Sequence, residues 1–177
     1  MLTVGDRFPE FDLAAADGVD DPKIIRVSSK DFAGQWLVAF SWPMDFTFVC
    51  PTEIAAFGAA RKEFAALGAA VVGFSVDSEY VHVAWRERHP HLRHLPVPML
   101  ADVKRELSSA LGILDKESGV ALRATFVVDP DGVIRHVSVY GLDTGRSVTE
   151  VLRTVAALQA GGLTPCEWHA GEATLAS

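Results

Sequence analysis

Residues Trp36 to Leu67 read WLVAFSWPMDFTFVCPTEIAAFGAARKEFAAL. The first seven are a continuous apolar run bounded by Gly34 and Pro43, the pattern of a strand buried on both faces. From Pro51 the period changes. Apolar residues stand at 54, 57, 60, 64 and 67 with alanines between, which predicts an amphipathic helix from Pro51 to Leu67 that ends at Gly68. Ala70 to Val76 then reads as a second buried strand.

Working outward, Ser78 is placed to cap a helix from Glu79 to Arg88 that closes before Pro90. Asp102 caps another helix through Leu111, stopped by Gly112. Thr125–Val128 and Val133–Val139 read as strands joined by Asp129-Pro130-Asp131-Gly132, a turn that makes an antiparallel hairpin. The last helix, Thr144–Ala160, is capped from Ser147 with Glu150 three residues on, and Gly161-Gly162 ends it. Upstream, Phe11–Leu13 and Ile24–Val27 form short strands around a turn rich in Asp and Gly. This order predicts an α/β, thioredoxin-like fold: a mixed central sheet flanked by helices on both faces, with an N-terminal strand extension and a C-terminal tail. With no linker before about residue 160, the chain divides into one domain, 1–160, and a tail, 161–177.

Composition narrows the function. At 177 residues, 49% hydrophobic and 22% charged, the chain is globular rather than disordered. A net charge of −7, from 16 Lys+Arg against 23 Asp+Glu, argues against nucleic acid or an anionic membrane surface as the main partner. Two cysteines cannot build a disulfide framework, and only His169 lies close to either, so a structural zinc site is not expected. His89, His91 and His94 read as a solvated loop, because Pro90 interrupts their register and no Cys or carboxylate joins them; no metal or cofactor is expected. The N-terminus MLTVGDRFPEF has no secretory pattern, and the longest uncharged apolar run, Phe64–Val76, is short of the roughly 18 residues a membrane span needs. A reducing cytoplasm is the expected compartment. The cysteines are therefore either buried bystanders or chemistry.

Pro51 fits the first turn of a helix, where its missing N–H removes no bond, so Cys50 sits at a helix N-terminus. Unpaired backbone N–H groups and the positive end of the dipole favour a thiolate there. Position alone is equally compatible with a small buried hydrophobe. The neighbours decide. Pro43, Thr47 and Cys50 form Pro-x-x-x-Thr-x-x-Cys, with the Thr47 hydroxyl one turn before the sulfur, able to accept from one partner and donate to another. The residue three after Cys50 is Glu53, not a second cysteine. A local dithiol is impossible, which disfavours a disulfide oxidoreductase; a lone thiolate suits attack on a substrate.

Pro43–Ile54 (PMDFTFVCPTEI) resembles the peroxidatic loop of the typical 2-Cys peroxiredoxins, most closely the bacterial alkyl hydroperoxide reductase C group. The likeness continues in order through Asp77–Trp85 (DSEYVHVAW), Pro98–Ser108 (PMLADVKRELS), Leu122–Asp129 (LRATFVVD) and Gly145–Leu152 (GRSVTEVL), and Cys166-Glu167-Trp168 fits the resolving-cysteine segment. The resemblance implies that Cys50 attacks the peroxide O–O bond and becomes a sulfenic acid, releasing water or an alcohol. It assigns donors for the reacting oxygens to Thr47, Arg123 and the amide of Cys50, and shielding of the thiolate to Pro43. Glu53 is expected to orient active-site arginine, and Arg146 to be a second arginine near the site. Trp36, Trp42 and Trp85 are read as core, with His82 as support at most.

Cys166 lies 116 positions after Cys50. Within one chain a disulfide would need the tail to fold over the active site; the resemblance instead implies a resolving cysteine from the tail of a partner subunit. That requires a dimer and partial unwinding around Cys50, and it is compatible with rings of dimers. The external reductant is open among thioredoxin, a dedicated flavoprotein and a small dithiol carrier. Many members of that family carry a C-terminal helix with a Tyr-Phe pair and a Gly-Gly-Leu-Gly insertion, neither of which stands in this sequence; set against the resemblance, the expectation is fast resolution and resistance of Cys50 to overoxidation. The alternative function is a peroxide-switched redox relay or holdase assembled as a ring.

Overall fold

The central strand β3, Trp36–Ser41, runs parallel to β4, Ala69–Ser75, and antiparallel to β6, Arg123–Val128. The computed structural model describes residues 1–175. Around this core stand β1 (Asp12–Asp17), β2 (Lys23–Ser28), β5 (Met99–Ala101) and β7 (Ile134–Tyr140), giving a seven-stranded mixed sheet in the order β2-β1-β5-β4-β3-β6-β7. The helices are α1 (Cys50–Ala59), α2 (Arg61–Ala66), α3 (Glu79–Arg88), α4 (Glu106–Leu111) and α5 (Val148–Gln159).

The apolar run in β3 follows from helices on both faces. Successive side chains of a strand point to opposite sides. Val38 and Phe40 enter a core with Ile54 and Phe57 of α1, Phe64 of α2, Trp85 of α3 and Val155 of α5. Leu37 and Ala39 enter a second core with Phe74, Phe126 and Leu107 and Leu111 of α4. Trp42 and Trp85 are fully buried, while Trp36 packs at the margin. No helix among the described residues is long and apolar enough to cross a membrane.

Three local expectations are refined, and one strand is added. The helix read over Pro51–Leu67 is two helices meeting at Ala60, where ψ is 0°. Phe57, Ala60 and Phe64 are all buried, so the apolar period continues across a bend that it cannot reveal. The last helix begins at Val148 rather than Thr144. Ser147 Oγ accepts from the Glu150 amide at 3.3 Å, but the Glu150 side chain turns to Arg153, leaving half a capping box. Asp102 caps α4 from upstream, its carboxylate accepting the amides of Leu107 and Ser108 at 3.1 and 2.7 Å across the left-handed Arg105. β5 was not foreseen: at three residues it is too short to show a period, yet its pairing with β4 and β1 joins the N-terminal hairpin to the main sheet. Residues 163–175 fold against α5, tied by Arg153 to the Trp168 carbonyl, closed by a Leu163–Leu175 bridge and seated by buried Trp168.

Candidate active site

The loop after β3 turns through Phe46, in the left-handed region at φ 57°, and delivers Cys50 as the first residue of α1 with Pro51 in the first turn. Cys50 is fully buried. Thr47 Oγ1 lies 2.9 Å from Cys50 Sγ and 2.9 Å from Met44 O. One hydroxyl proton cannot serve both acceptors, so its direction depends on the sulfur. A thiol donates to Oγ1 while Oγ1 donates to Met44 O; a thiolate draws the Thr47 proton to itself.

Arg123, at the start of β6, donates from Nη1 to Cys50 Sγ at 3.2 Å and to Glu53 Oε2 at 2.7 Å. Its Nε and Nη2 hold Leu142 O at 3.1 and 2.6 Å, which fixes the plane of the fork. Arg146 reaches Glu53 three times: its amide and Nε donate to Oε1, each at 2.9 Å, and Nη2 to Oε2 at 3.2 Å. Its guanidinium stacks over Phe40 and Phe57, 5.4 and 5.6 Å from the ring centroids. Burial pulls the Arg146 guanidinium below its ordinary range, and the Glu53 carboxylate opposes that shift. Two guanidiniums around one carboxylate leave one positive charge over in a dry setting. A thiolate on Cys50 balances it.

Pro43, Thr47 and Arg123 share the wall of a mainly apolar groove of about 270 Å³ with Phe48, Val120 and Leu142. Phe48 is 95% exposed. The structure thus brings Pro43, Thr47, Cys50, Glu53, Arg123 and Arg146 together. It leaves Cys166 apart from them, exposed in a separate groove against α5; both cysteines are free.

One set of residues in the loop was missed. Asp45 is buried two positions before Thr47, where Oδ1 accepts from Trp42 Nε1 at 2.8 Å and Oδ2 meets His82 Nδ1 at 2.6 Å. The other His82 nitrogen lies 3.1 Å from Leu100 O, which can only accept, so Nε2 carries a proton. The Asp45 amide donates to Asp77 Oδ2 at 2.9 Å. Burial pushes the Asp45 carboxyl up, with His82 opposing. Arg86 is also fully buried, donating to the carbonyls of Ala16, Gly18, Leu95 and Val97, and burial draws its guanidinium down.

Residues 4–137 match the family described as the AhpC/TSA family. The chain is 50% identical over 184 aligned positions to the alkyl hydroperoxide reductase C of Mycolicibacterium smegmatis, covering 99% of this chain and 94% of that protein. Among solved structures, Mycobacterium tuberculosis AhpC superposes with a TM-score of 0.87 at 47% identity, covering 96% of this chain and 99% of that one. The reduced 2-Cys peroxiredoxin of Plasmodium vivax gives a TM-score of 0.91 at 32% identity, covering 98% and 92%. The likeness carried by the Cys50 loop and the segments after it therefore holds along the chain, which belongs to the AhpC/TSA family.

Proposed function

We propose that the protein is a thiol peroxidase that reduces hydrogen peroxide and organic hydroperoxides at Cys50. The observation that carries this is the convergence of Thr47 Oγ1 and Arg123 Nη1 on one buried sulfur at a helix N-terminus. The thiolate attacks one peroxide oxygen, an S–O bond forms, and the O–O bond breaks. The electron pair leaves on the distal oxygen, which takes a proton to become water or an alcohol, and Cys50 is left as sulfenic acid. Arg123 and Thr47 are placed to donate to the oxygens as charge moves between them. Glu53 and Arg146 hold Arg123 in place, and Pro43 covers the sulfur.

In the second half of the cycle, Cys166 of the partner subunit attacks the sulfenic sulfur. The S–S bond forms, hydroxide leaves and is protonated to water, and an external dithiol reductant restores both thiols. This reading makes residues 1–160 the peroxidase domain and 161–177 the resolving tail, of which the last two residues lie outside those described. It needs a homodimer and accommodates rings of dimers. A reducing cytoplasm, which returns both thiols to the reduced form between turnovers, is the compartment that fits this cycle.

The test is peroxide consumption with a dithiol reductant, run beside non-reducing electrophoresis. Cys50→Ser abolishes consumption, Cys166→Ser loses disulfide turnover, and the peroxide-induced reducible dimer disappears in both. Consumption that survives Cys50→Ser rejects the proposal. Suppression of client aggregation without turnover would favour the relay or holdase instead.

A further inference from the structure

The tail that carries Cys166 is built onto its own subunit rather than left loose. Trp168, two residues on, is 5% exposed, and its Nε1 donates to Glu172 O at 3.0 Å. The His169 amide donates to Glu172 Oε2 at 2.9 Å, and the Leu175 amide to Leu163 O at 2.8 Å, closing the loop around the cysteine. Glu167, between Cys166 and Trp168, adopts the left-handed region at φ 56°. Within this closed loop the sulfur-bearing residue faces solvent.

Arg153 of α5 ties the loop to the domain. Its Nη1 donates to Trp168 O at 3.2 Å, while Nε and Nη2 grip Glu150 Oε2 and Oε1 at 2.7 and 2.8 Å. The bidentate pair fixes the plane of the guanidinium, so the remaining donor is aimed rather than free to wander. Arg153 and Cys166 also line the same groove, of about 730 Å³. The Glu150 carboxylate holds the Arg153 guanidinium above its ordinary range, and the sulfur of Cys166 acts in the same direction.

We propose that Arg153 is a positioning residue for resolution: through the Trp168 carbonyl it holds the tail so that Cys166 is presented in one place to the partner subunit's Cys50. This rests on the resolving role of Cys166 put forward above. A thiol on a free tail must be found by the sulfenic sulfur in a large volume, whereas a docked one has that entropy removed beforehand. Arg153 touches neither sulfur nor peroxide in this scheme, so the first half of the cycle is independent of it.

The experiment follows both steps in the full-length protein by rapid acid quench and mass spectrometry, beside steady-state kinetics. Arg153→Met keeps the apolar stem and removes the donors. Sulfenic acid should form at the parent rate, while disulfide formation slows about tenfold. kcat should fall with it, and kcat/KM for peroxide should stay unchanged. Arg153→Lys, which keeps one donor but no fork, should give an intermediate rate. Glu150→Gln frees the fork without touching Arg153; it should slow the same step and stands in if Arg153→Met fails to fold. A parent rate of disulfide formation in these variants overturns the proposal, and so does an equal loss in both steps. Should the unmodified protein form no Cys50–Cys166 disulfide at all, the resolving role itself falls and takes the positioning role with it.

Discussion

Glu53→Gln separates geometry from charge at the reacting sulfur. The Glu53 side chain is 2% exposed, and its two oxygens accept four hydrogen bonds from Arg123 and Arg146. Glutamine keeps the shape but retains one acceptor oxygen and turns an NH2 group toward guanidinium donors. Two effects then oppose each other. Sγ and Oε2 both bond Arg123 Nη1, at 3.2 and 2.7 Å, so they lie within about 6 Å of one another. Removing a unit negative charge at that distance favours the thiolate by roughly 3 kcal/mol at an effective dielectric of about 20. A better stabilised thiolate is a weaker nucleophile, and about half of that gain is returned, leaving at most roughly 1.5 kcal/mol. Against this, a donor lost from the reacting centre costs about 3–4 kcal/mol. The balance is a first step slower by on the order of tenfold, since about 1.4 kcal/mol is a factor of ten in rate. The assay is the second-order rate constant for Cys50 oxidation in a Cys166→Ser background, where only the first step is seen. A rate equal to or above the parent's, in a variant that melts cooperatively, would refute the claim that Glu53 acts by holding Arg123.

Asp45→Ala should orphan Trp42 Nε1 and His82 Nδ1, each a buried polar atom worth about 1–3 kcal/mol when unpaired. Asp45→Asn, able to accept from Trp42 and donate to His82 Nδ1, should cost clearly less in urea denaturation, and equal losses would contradict the bonds assigned. The pH dependence has a definite sign. Burial raises the Asp45 carboxyl above 3.8, so the folded state holds that proton more tightly than the unfolded one. Its contribution is complete below 3.8 and is lost as pH rises through the folded value, so the parent should lose stability relative to Asp45→Asn as pH rises from 3.8; urea midpoints that move the other way would rule this out. In β4, a Cβ on Gly73 would lie 2.6 Å from Trp42 Cζ3 and 2.7 Å from Phe40 Cζ, both on buried rings. Gly73→Ala should destabilise by about 1–3 kcal/mol, and an unchanged midpoint would mean that the rings yield freely.

What was legible in the sequence was mostly local. Pro51 after Cys50, Ser78 before Glu79 and the Asp129–Gly132 turn each act within four residues, and each lies where its chemistry requires. Strand β3 could be read as doubly buried because both of its faces meet helices. The bend at Ala60 could not, since the apolar residues keep their spacing through it. The Asp45–His82 contact joins positions 37 apart across two elements, and no single-chain pattern encodes it. Arg86 falls within the predicted helix Glu79–Arg88, and nothing in that stretch marks it for burial. It is buried because the carbonyls of Ala16 and Gly18, at the end of β1 some 70 positions away, meet those of Leu95 and Val97 in the segment after α3, a property of the assembled fold.

On the proposed mechanism, oxidation itself loosens the site. As a thiolate, Cys50 neutralises the positive charge left over by Glu53, Arg123 and Arg146; as sulfenic acid it does not. The Arg123–sulfur contact then drops from an ion pair to a hydrogen bond from a guanidinium to a neutral acceptor, and loses the attraction between opposite charges. The loss falls where α1 is least secured, since Val49 at its N-cap makes no side-chain capping bond. Three residues on, Glu53 stays tied to both arginines, and upstream Asp45 stays tied to Trp42, His82 and Asp77. Opening is therefore bounded to Phe46–Thr52, the stretch that already exposes Phe46 and Phe48. Tethered at Glu53, Cys50 stands at most roughly 10 Å from it when the intervening chain is extended. A disulfide needs Cα atoms within about 4.4–6.8 Å. With so short a reach on the Cys50 side, the resolving thiol must already stand close by, and a tail pinned by Trp168 and Arg153 keeps it from wandering.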